Sequence, residues 1–138
     1  NGYEIVVTER AREIKRRNLL ETDLEFNKKT KIEEIKKETN LKSASGFVWN
    51  NFIFDSDEKA LQNIHGTYTI VKATNSFTGS WWDKDNVSHT MTAQEFIEFS
   101  EAFFYFQNYT KRKSRELKNS VLSLTTIAEV KGFKILWT

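Results

Sequence analysis

Few side chains in this sequence are of kinds that carry out chemistry, and their spacing limits what they can do. The two histidines, His65 and His89, stand far apart, and the chain has no cysteine. Zinc sites need three or four nitrogen, sulfur or carboxylate ligands at recurring short spacings, so no metal site is expected. Asp55 with Asp57, and Asp83 with Asp85, have the Asp-x-Asp spacing of paired carboxylates and calcium loops. A calcium loop supplies oxygen ligands in a longer regular array, and both pairs read instead as helix-cap and turn residues. The chain has no Gly-rich phosphate loop, nucleophile elbow or His-Glu-x-x-His motif. No catalytic residue and no cofactor are expected, and the chain reads as a non-enzyme.

Two basic clusters stand out, Arg10, Arg12, Lys15, Arg16 and Arg17, and Lys111, Arg112, Lys113, Arg115 and Lys118. Basic patches bind phosphates. Here Glu13 and Glu116 interrupt them, and 21 Lys+Arg against 19 Asp+Glu leave a charge of only +2. Residues 1 to 45 carry 11 basic against 9 acidic side chains and the remainder carries 10 against 10, so neither half is a nucleic-acid arm. A nucleic-acid partner is not expected.

The adjacent Trp81 and Trp82 are the most informative pair. Successive strand residues point to opposite faces, so both indoles enter one core only if both faces are covered. Tryptophan is enriched at interface hot spots. Trp82 is expected in the core and Trp81 against a neighbour or a ligand.

These residues need elements to position them. A chain of 138 residues suits one domain with a core of its own, and no apolar run reaches the 18 or more residues of a membrane span. No charged-then-apolar signal pattern opens the chain, which begins Asn1-Gly2, as a fragment or processed product would. The chain is expected to be soluble. Tyr3 to Thr8 is β-prone. Thr8 to about Ser45 is charged and free of Pro and Gly, which predicts one long helix or two consecutive ones with a break near Asn27. Ile14, Leu19, Leu20, Leu24, Ile32, Ile35 and Leu41 give this arm only a thin apolar stripe, without a coiled-coil heptad. Thin stripes bury little, so the arm either leans on another chain or lies on its own domain.

Gly46 reads as a glycine helix stop. Phe47-Val48-Trp49 and Phe52-Ile53-Phe54 around Asn50-Asn51 read as a tight hairpin. Asp55-Ser56-Asp57 offers caps for a short helix with Leu61, Ile64, Tyr68 and Val71 on one face. Gly66, inside that helix, suggests close approach of another backbone. A second hairpin is expected between Asn75 and Thr92, turning at Asp83 to Asn86. Thr92-Ala93-Gln94-Glu95 forms a capping box for a long helix running to about Thr126 and closed by Gly132. Phe133 to Trp137 reads as a terminal strand or extended tail. The long helix carries Phe96, Ile97, Phe99, Ala102, Phe103, Phe104, Phe106 and Tyr109, more than a single stripe requires. The fold class is therefore α+β, mostly helical, with two small hairpins. Residues 1–45 form a helical arm and 46–138 a compact hairpin-helix-hairpin-long-helix domain.

From Gly46 onward the order of signals resembles an uncharacterised domain family of tailed phages and prophages, found in or beside tail-fibre and tail-fibre-assembly genes. The matching stretches are Gly46 to Asp57, Asn63-Ile64-His65-Gly66, Trp82, Asp85-Asn86 and Thr92 to Phe96. Gly132 to Trp137 is similar to a short tail that ends Gly-Trp in many relatives, although the two residues are not adjacent here. The resemblance covers roughly residues 30–138 and implies a phage structural or assembly role without an active site. On that basis the chain is expected to be a structural or docking module of a tailed bacteriophage virion, tail or tail-fibre associated. It would meet other phage tail proteins or a second copy of itself, in the virion and in the host cytoplasm during assembly. The alternatives are a tail-fibre assembly chaperone, and a host-receptor or carbohydrate-binding module in which Trp81, Trp49 or Trp137 stacks on sugar. Candidate interface residues are Trp81, Phe103, Phe104, Phe106, Tyr109 and Trp137.

Overall fold

A computed structural model describes residues 8–16 and 23–137. The protein is mostly helical α+β. Helix α1 (8–16) is followed by α2 (Leu24–Ala44), β1 (Phe47–Trp49), β2 (Phe52–Phe54), α3 (Glu58–Thr74), β3 (Ser80–Trp82), β4 (Ser88–Thr90), α4 (Ala93–Leu122) and α5 (Ile127–Lys131). The β-prone stretch expected at Tyr3 to Thr8 lies outside the described residues except for Thr8, which is helical. Packing divides the chain into two units, residues 37–114 and residues 1–36 with 115–138.

The unit of residues 37–114 contains both hairpins. β1 and β2 pair antiparallel, with Phe47 opposite Phe54 and Trp49 opposite Phe52. The turn between them sets Asn50 at φ 50° and Asn51 at φ 68°, the left-handed pair that a two-residue type I′ turn requires and Asn tolerates. Gly46, at φ +125°, leads out of α2 into β1, and a Cβ placed there would lie 2.6 Å from Ile53 Cγ2. That position demands glycine on both conformational and steric grounds. In the second hairpin Trp81 faces His89 and Trp82 faces Ser88. Lys84 N donates to Ile53 O at 2.7 Å, and the rings of Phe52 and His89 stand 4.3 Å apart, so the second turn rests on the first hairpin.

The core of this unit is aromatic. Phe96, Phe99 and Phe103 fall at helical spacing on one face of α4, each with no exposed surface. They meet Phe47, Phe54, Ile64, Val71 and Met91 from the hairpins and α3. Phe47 lies edge-on to Phe103 at 5.4 Å and Phe54 lies edge-on to Phe99 at 4.9 Å, the geometry that ring quadrupoles favour. The surplus rings of α4 are also taken up within the chain. Phe104 packs against His65 and Tyr68 of α3, and Phe106 against Phe47.

Gly66 does not mark a close backbone approach, contrary to the reading of the sequence. An added Cβ there would meet nothing within 4 Å, and the residue is exposed on α3.

In the unit of residues 1–36 and 115–138, Ile35, Leu117, Val121 and Val130 form the core, flanked by Leu24, Ile32, Leu124, Phe133, Ile135 and Trp137. Leu24, Ile32 and Ile35 of the thin α2 stripe thus find partners within this chain, whereas Leu41 is 63% exposed. The expected break near Asn27 is not there, because α2 begins at Leu24 and runs through it. Asp23 Oδ1 caps the helix by accepting from the amides of Glu25 (2.7 Å) and Phe26 (3.2 Å). The long helix also stops sooner than expected, at Leu122, and Thr126 caps the separate α5 by accepting from Glu129 N at 3.1 Å. Lys28 Nζ donates to Leu122 O at 2.9 Å, setting a cation at the carbonyl end of α4, where the helix dipole favours it. Phe133, Ile135 and Trp137 alternate half-buried with exposed neighbours. The tail is therefore extended with one apolar edge, and no strand is paired to it among the described residues.

Candidate functional site

Residues 55 to 63 and 80 to 82 bring together a set of side chains that no single element carries. Asp57 ends the loop after β2 and caps α3, its Oδ1 accepting from Ala60 N at 2.8 Å. Capping holds the first turn of α3 and so fixes Lys59, Ala60 and Asn63 relative to Asp55. Opposite them runs β3. Between the two lies an open groove of about 400 Å³ lined by Asp55, Asp57, Lys59, Ala60, Asn63, Ser80, Trp81 and Trp82.

The two tryptophans divide the work by strand alternation. Trp81 is half-buried, its ring 5.2 Å from Phe96 and 6.3 Å from Phe99. Trp82 points the other way and is 57% exposed. The assignment made from sequence is therefore reversed, since Trp81 joins the core and Trp82 faces solvent. The reason is register. Trp81 pairs with the half-buried His89, and Trp82 pairs with the exposed Ser88, so only the Trp81 face looks inward.

The turn that carries β3 back to β4 is held by Asp83. Its Oδ1 accepts from the amides of Asp85 (2.9 Å) and Val87 (3.0 Å), and Oδ2 lies 2.8 Å from His89 Nε2. An ionised carboxylate only accepts, so the ring nitrogen donates. The hydrogen bond from His89, then that from Val87, holds the Asp83 carboxyl below the usual aspartate range against the opposing effect of its burial. Asp83 and His89 thus shape the hairpin, as the turn reading expected of the aspartate. Among the described residues no three His, Cys, Asp or Glu side chains gather to hold a metal ion.

The other residues singled out in the sequence do not assemble around the groove. Phe103 has no exposed surface and offers nothing to a partner; its place at i+7 from Phe96 turns it inward. Phe104 and Phe106 are half-buried flanks of the same core. Tyr109 is 36% exposed, with the Arg112 guanidinium 5.6 Å from its ring centroid. Trp137 packs half-buried in the unit of residues 1–36 and 115–138. Of the basic clusters, residues 10, 12, 15 and 16 of α1 are exposed and Arg17 lies outside the described residues.

What the sequence did not point to is the outward face of the first hairpin. Val48 and Ile53 are cross-strand partners, and they are 63% and 49% exposed. Elsewhere on the hairpins, Phe52 on the other face of β2 and Val87 beside β4 are 45% and 49% exposed. The signal was available, because strict alternation in Phe-Val-Trp and Phe-Ile-Phe assigns Val48 and Ile53 to the face opposite Phe47 and Phe54.

No helix among the described residues is long and apolar enough to cross a membrane. A family model described as a domain of unknown function (DUF4376) matches residues 27–134. No curated protein and no solved structure matches the chain.

Proposed function

The chain belongs to the DUF4376 family, and from that premise we propose that it is a docking module of a tailed bacteriophage, tail or tail-fibre associated, acting through protein-protein contact. The observation that carries docking is the apolar surface of the two hairpins. Val48, Phe52, Ile53 and Trp82 on the strands, and Val87 just before β4, are each about half exposed or more. Val48 and Ile53 adjoin as cross-strand partners, and adjoining apolar side chains left in water mark interaction sites. The phage setting rests on the resemblance of Gly46 to Asp57, Trp82 and Thr92 to Phe96 to domains encoded in or beside tail-fibre genes. Its partners are then other tail or tail-fibre proteins, or a second copy of this chain.

Mass spectrometry of purified virions tests the reading. A docking module of the particle is present at a fixed ratio to the tail proteins. A polypeptide found in infected cells and missing from virions belongs instead to an assembly chaperone, which would use the same surface transiently.

A further inference from the structure

The groove between α3 and β3 differs in chemistry from the apolar face of the first hairpin. We propose that it is a saccharide-binding subsite, with the Trp82 indole as the platform for a pyranose ring and Asp55 and Asn63 as partners for its hydroxyls. The groove shares Trp82 with the docking surface, but Val48, Phe52, Ile53 and Val87 are not among its lining residues, so the two readings can be tested apart.

Three features select this class of ligand. The first is the exposed indole. Trp82 is 57% exposed at the groove wall, and an aromatic face carries negative charge density that attracts the weakly positive C–H edge of a sugar ring. Trp81, which also lines the groove, packs on Phe96.

The second is the mixture of polar groups. Asp55 and Asp57 only accept hydrogen bonds, Lys59 only donates, and Asn63 and Ser80 do both. Hydroxyls, which both donate and accept, match such a set. A phosphate would face two carboxylates; a cationic side chain, which the same carboxylates attract, is the competing occupant that the test below separates.

The third is size and shape. About 400 Å³ falls at the small end of the roughly 300–1,000 Å³ typical of ligand sites, with room for a hexose ring. Its open form suits an internal or terminal unit of a longer chain.

The test uses the full chain on a glycan array, followed by calorimetric titration with the methyl glycosides of glucose, galactose and N-acetylglucosamine and with any oligosaccharide the array retains. Binding of at least one of these is expected, with a change in tryptophan fluorescence. Trp82→Ala should lower affinity at least tenfold, Trp82→Phe should retain part of it, and Asp55→Asn should weaken it severalfold. Both side chains are exposed, so melting temperatures should stay at the wild-type value. A silent array, or a retained saccharide that binds Trp82→Ala as tightly as wild type, overturns the proposal. So does an arginine-rich peptide that occupies the groove in preference to every sugar. Loss of virion incorporation in Trp82→Ala with a silent array would reassign the groove to protein contact. Val48→Glu, outside the groove, should leave saccharide binding unchanged, which separates failure here from failure of the docking reading.

Discussion

Asp83 gathers hydrogen bonds from His89 Nε2 and from the amides of Asp85 and Val87 within one turn. Its carboxyl is held low chiefly by His89 and then by Val87. A carboxyl depressed in the folded state stabilises the protein above its unfolded value, about 3.9 for aspartate. That stabilisation disappears as pH falls through the folded value. Glu129 shifts the same way, mainly through the Thr126 hydroxyl and then that of Thr125. Thermal melts taken downward from about pH 6 should therefore lose stability below about pH 4, and Asp83→Asn should flatten part of that fall while lowering stability at neutral pH. A melting curve as steep in the variant as in wild type would show that Asp83 carries none of it. Gly66 makes the opposite kind of prediction. It lies exposed inside α3 with open space where a Cβ would go, so Gly66→Ala should stabilise the fold by about 0.4–1 kcal/mol. Denaturant titration would show the midpoint rising at an unchanged slope. The sequence suggested a crowded glycine because helical glycine is unfavourable and invites a reason, whereas in the fold no neighbouring element comes within 4 Å of an added Cβ.

Helix caps and turns were the elements most legible in the sequence, since their signals are local. Thr92 and Glu95 close the capping box as their spacing implies, at 3.1 Å and 3.4 Å. Thr92→Ala should destabilise the protein by about 1 kcal/mol, measured by chemical denaturation. Thr126 and Glu129 repeat the same spacing, and the same motif could have announced α5. It went unread because Leu124 continues the helical period of Leu117 and Val121, although the helix stops at Leu122. The turn Asn50-Asn51 was legible for an equally local reason. Both residues take positive φ, and a β-branched residue is strained there, so Asn50→Val should cost about 1–2 kcal/mol and loosen the β1–β2 pairing seen by amide exchange. Facing was less legible than pairing. In a strand of three residues alternation has two phases, and nothing within Ser80-Trp81-Trp82 chooses between them. The choice is made by Phe96 and Phe99, which lie on α4.

At the scale of the whole chain, the sequence conveyed the fold class and the order of elements but not where α2 would find its partners. A sparse stripe looks unsatisfied until Leu117, Val121 and Val130 are brought beside Ile35, a pairing of residues far apart in sequence that no local period encodes. Similarly, the excess of phenylalanine in α4 looked like an interface and is largely core. The surface proposed for docking lies instead on the hairpins, where Val48 and Ile53 are cross-strand partners left exposed. Val48→Glu should reduce self-association in sedimentation experiments, or incorporation into virions, with little change in melting temperature because Val48 is 63% exposed. Unaltered association and incorporation would move the docking surface elsewhere.

One unit comes from the uninterrupted stretch 37–114, whereas the other combines residues 1–36 with 115–138. On the ribosome, which emits the chain from its N-terminal end, the uninterrupted stretch has all its residues in hand while the other unit still lacks three of its four buried core residues. Ile35 must then wait, its apolar stripe wet, until Leu117, Val121 and Val130 leave the exit tunnel. The interval between those two moments is when α2 is open to the wrong partner, so the pace at which residues 115–138 follow governs how cleanly this part of the nascent chain matures.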